Sequence, residues 1–137
     1  MADAPGHRLA VRVYFEDTDA GGIVYHTAYL RFAERGRTEF LRSLGFEHRA
    51  LRRETGAGFA VARCEVDYLR PALLDDILEV ETRLLEAGGA SARMEQTVRR
   101  GSEVVARMAV RLAFLGEAGR PARVPGPLRR AFTGAAA

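Results

Sequence analysis

The sequence predicts an α+β fold, with one long helix and a five-stranded, mainly antiparallel sheet. Three observations predict it. Apolar and polar residues alternate near the start of the chain, which marks a strand. A stretch with apolar residues at three- and four-residue steps follows, which marks a helix. Four further alternating stretches then run to about residue 115, joined by short reversals. A strand, a helix and a run of antiparallel strands make one layer of helix on one layer of sheet.

Leu9, Val11, Val13 and Phe15 share one face of the first strand. The loop EDTDAGG follows at residues 16–22. From about Thr27 the period lengthens, and Tyr29, Phe32, Ala33, Gly36, Phe40 and Leu44 form an apolar stripe. Gly45 is placed to end that helix as its C′ residue, and Arg35 can pair with Glu39 one turn on. Residues 46–58 read as a polar connection with one short helical turn. Ala60, Ala62, Cys64, Val66 and Tyr68 share a face of the second strand, which ends at Arg70-Pro71. The third carries Leu78, Val80, Thr82 and Leu84, and the fourth carries Ala92, Met94, Gln96 and Val98. The turn at residues 86–90 separates them. After a tight reversal at Arg100-Gly101-Ser102, Val104 to Phe114 alternate most cleanly of all. The tail beyond Gly116 contains Pro121, Pro125 and Pro127, with room for a helical turn at residues 128–132 and frayed last residues. The expectation is one domain over residues 1–137, with residues 1–8 and 117–137 peripheral. One helix cannot cover a curved five-stranded sheet, so a homodimer or larger assembly is expected.

Composition narrows the function. The chain has 137 residues and a formal charge of +3, from 21 basic residues that are all Arg and 18 acidic ones. That length supports a real core. No basic stripe interleaved with aromatics appears, so nucleic acid is not an expected partner. No run of about 18 apolar residues exists to span a bilayer, and the first residues lack the apolar stretch of a signal peptide. A soluble, cytoplasmic protein is expected. Cys64 is the single cysteine, which excludes an internal disulfide and a multi-cysteine metal site. Its place on an apolar strand face predicts a buried, inert thiol. His26 has no partner histidine at ligand spacing, so its side chain is expected to order the loop and no metal site is expected.

The loop between the first strand and the helix is the candidate site. Gly21 and Gly22 permit backbone conformations closed to other residues. The first amides of a helix are unsatisfied donors at the positive end of its dipole. They can hold a carbonyl oxygen as it becomes an oxyanion. A carboxylate a few residues upstream can fold back beside them, which is a minimal kit for hydrolysing an activated acyl group. An Asp near a helix start can also be only a cap, and glycines can be only a turn.

The run VRVYFEDTDAGGIVYHTAYLRFAERGRTEFL resembles the signature of hotdog-fold acyl-CoA thioesterases of the 4-hydroxybenzoyl-CoA thioesterase-like group. It is most similar to the Tol-Pal-associated acyl-CoA thioesterases. The likeness continues through VARCEVDYLRPALLDD at Val61–Asp76 and more weakly to Phe114. The resemblance implies a hotdog fold, a long central helix wrapped by the sheet, dimerising edge to edge, often as a dimer of dimers (a homotetramer). It implies an acyl-CoA substrate, or an acyl-carrier-protein thioester, and no separate cofactor, because coenzyme A belongs to the substrate. Asp19 matches the catalytic carboxylate, as nucleophile or as general base. His26 matches the position whose backbone amide polarises the thioester carbonyl. Tyr25 and Gly22 match the supporting signature, Glu34 a recurring acidic position, and Asp17 a residue that shapes the loop. Ser91 matches a small residue near the pantetheine path, and Arg63 and Arg70 are candidates for the coenzyme A phosphates. Two other readings stand beside hydrolysis. One is a hotdog hydratase that uses His26 as a side-chain base. The other is a non-catalytic acyl-binding subunit of a cell-envelope or lipid-synthesis assembly.

Overall fold

The computed structural model describes residues 6–135, so the expectations for residues 1–5 and 136–137 lie outside the described residues. The chain runs β1 (His7–Arg12), a 3-10 turn (Phe15–Asp17), α1 (Ala28–Ser43), α2 (His48–Thr55) and β2 (Gly58–Tyr68). It continues through β3 (Ile77–Ala87), β4 (Ser91–Arg100), β5 (Glu103–Leu115), a second 3-10 turn (Glu117–Gly119) and α3 (Gly126–Ala135). The five strands form one sheet in the order β1-β3-β4-β5-β2, and every neighbouring pair is antiparallel. The predicted fold class is therefore the observed one.

The alternation in β4 and β5 sets the core. Met94, Gln96 and Val98 are buried, as are Ala106, Met108, Val110, Leu112 and Phe114. The stripe on α1 lies against this surface through Phe32, Ala33 and Phe40, all buried. Gly36 lets helix and sheet approach closely, since a Cβ built there would lie 2.8 Å from Val80 Cγ1 and 3.0 Å from Thr82 Oγ1. Gln96 closes the contact. Its amide donates to the Ala33 carbonyl at 2.8 Å and to Thr82 Oγ1 at 2.9 Å, and its Oε1 accepts from Arg37 Nη1 at 3.0 Å. A fully buried amide is tolerated because it is paired on both ends. At the other end of α1, Gly45 adopts φ +92°. Its amide donates to Arg42 O at 2.9 Å and that of Phe46 to Leu41 O at 3.1 Å, the Schellman ending that the glycine predicted.

Four expectations are corrected. Strand β1 stops at Arg12, and Phe15 stands 82% exposed where the chain turns. Glu39 pairs with Arg42, not with Arg35, whose guanidinium carbon lies 6.0 Å from the Phe32 ring centroid. Cys64 is exposed: it lies on the edge strand β2, and none of the described residues buries it. The segment from residue 117 is only partly peripheral: Leu128 and Phe132 on α3 are in the core, and the Phe132 ring lies parallel to Phe40 at 6.5 Å.

Candidate active site

The acidic loop folds into a small closed structure between β1 and α1. Asp19 begins it. Its amide donates to Ile23 O at 2.9 Å, and its carbonyl accepts from the Gly22 amide at 3.1 Å. Its Oδ1 accepts from the Gly21 amide at 2.8 Å. Gly22 has φ +83°, a conformation that favours glycine, so the turn that sets the Asp19 backbone depends on it. The carboxylate is exposed, and among the described residues its Oδ2 has no hydrogen-bond partner.

Asp17 fastens the loop from beneath. It is buried, accepts from the Tyr14 amide at 2.9 Å and pairs with Arg31 of α1 at 3.3 Å. Its carbonyl accepts from the Tyr25 amide at 2.8 Å. Val24 and Ile23 dock on the segment after β2: the Val24 amide donates to Ala72 O at 2.9 Å, and Ile23 bridges to Leu73.

His26 comes two residues before the first residue of α1. Among the described residues, its amide has no acceptor within the protein. The peptides on either side are held. The Tyr25 amide is tied to Asp17 as above, and the Tyr68 hydroxyl donates to the His26 carbonyl at 2.8 Å. Tyr68 also makes an edge contact to Tyr29 at 5.5 Å, and the Tyr29 hydroxyl accepts from the Ala72 amide at 3.2 Å. Burial raises the Tyr68 hydroxyl's pKa, with the nearby Cys64 adding to the shift, so it remains a donor at neutral pH. Burial likewise raises the pKa of Tyr29.

Asp19, His26 and Arg70 line one cleft of about 480 Å³ together with Tyr29 and Tyr68. The other sequence candidates stand elsewhere in the single chain. The Tyr25 ring lies 4.5 Å from the His26 ring, tilted by 52°, and does not line the cleft, and Gly22 acts through its backbone. Glu34 projects two turns along α1 and lines a different cavity. Arg63 sits in the middle of β2, paired with Glu65. Ser91 opens β4, where its carbonyl accepts from the Gly88 amide at 2.8 Å. Arg70 keeps a loose ion pair with Glu103 at 3.5 Å and is largely exposed.

Tyr68 is the residue that sequence reasoning leaves as a strand end. It sits 42 positions from the atom it holds, so no local pattern announces it. It is a positioning residue, because it touches the peptide that carries the free amide's neighbour and not the reacting atoms. Removing only its hydroxyl, as Tyr68→Phe, forfeits the hydrogen bond to the His26 carbonyl. The expected result is a fall in kcat of about tenfold with KM changed less than twofold. Wild-type kcat in the Phe variant would reduce Tyr68 to a packing residue.

A free carboxylate oxygen and an unsatisfied amide, on two residues that line one cleft, suit attack on a carbonyl and support of the resulting oxyanion. The model of the thioesterase-like superfamily matches residues 13–132. The acyl-CoA thioesterase YbgC of Haemophilus influenzae is 43% identical over 129 residues, spanning 93% of this chain and 94% of that protein. Among solved structures, a probable thioesterase from Bartonella henselae superposes with TM-score 0.83 at 39% identity, covering 88% of this chain and 99% of that one. A thioesterase from Thermus thermophilus, solved with coenzyme A and Zn, superposes with TM-score 0.80 at 35% identity, covering 98% and 96%. The chain therefore belongs to the thioesterase-like superfamily and is one of its hotdog-fold thioesterases.

Proposed function

We infer that this protein hydrolyses acyl-CoA thioesters, releasing a free acid and coenzyme A. The observation that carries the reading is the shared cleft of Asp19 and His26. The thioester carbonyl points at the His26 amide. Asp19 then attacks the carbonyl carbon to form a mixed anhydride that water opens, or takes a proton from the water that attacks. Either way negative charge grows on the carbonyl oxygen, and a preorganised amide is worth far more there than in bulk water. The thiolate of coenzyme A is a good leaving group and departs without a strong acid. Arg70, at the cleft's rim, supplies a cation for the phosphates of coenzyme A.

Relatives named as acyl-CoA thioesterases, and a neighbouring structure solved with coenzyme A, support the substrate class. The exposed edge of β2, 11 residues long, supports pairing with a second copy, since a long bare edge invites strand addition. That makes a dimer, or a dimer of dimers, the working form. The proposed setting is the cytoplasm, beside the Tol-Pal envelope system that the sequence resemblance implies.

The test follows free thiol release from acetyl to palmitoyl and aromatic coenzyme A esters, with acyl-carrier-protein thioesters in parallel. Saturable turnover on a coenzyme A ester is the expected result and names the acyl class. Release only from the carrier-protein thioesters replaces the substrate. Release from none sinks hydrolysis as the function.

A further inference from the structure

Leu69, Arg70 and Pro71, on the stretch that leaves β2, line the Asp19 cleft. Residues 72–76 follow and hold the acidic loop. The Ala72 carbonyl accepts from the Val24 amide at 2.9 Å, its amide donates to the Tyr29 hydroxyl at 3.2 Å, and Leu73 bridges to Ile23. Val24 lies two residues before His26, and the Ile23 carbonyl accepts from the Asp19 amide. The placing of both site residues therefore depends on this stretch.

The stretch contains a costly turn. Asp75 has φ +71°, in the left-handed region that a non-glycine residue enters with strain. Such a turn persists where its surroundings fix it. Its far end is tied to the strand side of the loop: the Val13 amide donates to the Asp76 carbonyl at 2.8 Å, and the Asp75 amide to the Val13 carbonyl at 3.0 Å. Asp76 Oδ2 closes the turn by accepting from the Leu73 amide at 2.9 Å.

Arg100, the last residue of β4, grips the stretch at both ends. Its Nη1 donates to the Pro71 carbonyl at 3.2 Å and to Asp76 Oδ2 at 2.8 Å. Its Nη2 donates to Glu103, the residue opposite it in the β4–β5 hairpin. The other oxygen of Glu103 lies 3.5 Å from Arg70 Nη1. A guanidinium directs its donors at fixed angles, so one side chain can set the spacing between Pro71 and Asp76. Charge-assisted bonds of this kind are stronger than neutral ones. Desolvation raises the pKa of the Asp76 carboxyl, but its bonds from Arg100 and the Leu73 amide outweigh this and hold it below the usual carboxylate range. The pair is therefore charged at neutral pH.

We propose that Arg100 is a positioning residue, which fixes the loop from Asp19 to His26 by clamping Pro71 to Asp76 from the β4–β5 hairpin. Arg100 does not line the cleft and acts only through this stretch. Its effect on turnover rests on the hydrolytic reading, while the clamp itself does not. Support of an oxyanion depends steeply on where the donor stands, so a small drift of the His26 amide costs rate before it costs binding.

The experiment compares wild type, Arg100→Gln and Arg99→Gln. Arg99 is the neighbour in β4, with a side chain 28% exposed against 33% for Arg100, and it pairs with Glu81 at 3.1 Å. Among the described residues it makes no hydrogen bond to residues 71–76, so it reports the cost of losing an arginine pair from the end of β4. Thiol release gives kcat and KM, hydrogen exchange followed by NMR gives the opening of the Val24 and Ala72 amides, and urea denaturation gives global stability. Arg100→Gln should lower kcat about tenfold with KM changed less than twofold, and should speed exchange of both amides at least tenfold. Arg99→Gln should do neither. Unchanged exchange in Arg100→Gln overturns the proposal. So does faster exchange with wild-type kcat, and so do equal changes in Arg99→Gln, which mark a general loss of stability. Should Arg100→Gln not fold, Arg100→Lys takes its place. An ammonium keeps the charge without the fork, so the same changes are expected at about threefold, and wild-type values overturn the proposal. If wild type releases no thiol, hydrolysis falls, and the exchange rates still decide whether Arg100 holds the loop.

Discussion

Asp19→Asn is expected to lower kcat for thioester hydrolysis by about a thousandfold, the middle of the range for losing a positioned base or nucleophile. Asparagine is nearly isosteric. Its side-chain oxygen can still accept from the Gly21 amide, so the turn at residues 19–22 survives and the melting temperature should stay within a degree or two of wild type. The lost properties are the charge and the second carboxylate oxygen of a residue that lines the cleft. Thiol release under saturating substrate measures the effect. Rates within threefold of wild type would remove Asp19 from the chemistry. Repeated turnover in heavy-oxygen water separates its two roles in the wild-type enzyme. Label accumulates in the Asp19 carboxylate if it is the nucleophile, and appears only in the released acid if it is the base.

Phe132→Ala is expected to destabilise the fold by about 3–4 kcal/mol, as for other fully buried aromatic rings cut to a methyl. Phe132 is 1% exposed, parallel to Phe40 at 6.5 Å and 6.0 Å from Phe59. Phe59 in turn meets Phe114 at 4.9 Å, so one ring ties α3 to α1, β2 and β5. Such a loss corresponds to a fall of about 10 °C in melting temperature for a domain of this size. Thr133→Ala, on the exposed side of α3, is the control and should cost little. Urea denaturation of the two variants decides between an α3 that is part of the core and an appendage. A loss below about 1 kcal/mol for Phe132→Ala would make it an appendage.

The parts of the fold that the sequence discloses are those whose pattern is local. The alternation in β5 and the stripe on α1 need only the chain's own period, and Gly45 needs only its φ. Helix α2 shows weakly because Leu51 is its one buried residue, which leaves no stripe to see. Helix α3 is masked by Pro127 and its arginines. The proline sits in the first turn, where it is tolerated, and Leu128 and Phe132 lie one turn apart on the buried side. Cys64 reads as buried because alternation reports that a strand has two faces, and cannot report that the strand lies at an edge. In the site, Asp19 and His26 are legible from a signature ten residues long. The hydroxyl of Tyr68 is not, because the fold alone brings it to the His26 carbonyl.

The strand order has a consequence for how the chain is made. Among the described residues, strand β1 pairs only with β3, and β2 only with β5. As the polypeptide leaves the ribosome, nothing up to Tyr68 has a strand to pair with, although the whole Asp19 loop and α1 have already emerged. The first hairpin becomes available with β3 and β4, and β2 waits for Leu115. At elongation speeds of roughly 5–20 residues per second, that wait lasts a few seconds. Until β3 has been made, at Ala87, the apolar stripe of α1 has no sheet to cover. The nascent chain is therefore most vulnerable to aggregation in its first half, and closure of the last-made strand and of α3 seals the domain late and nearly at once.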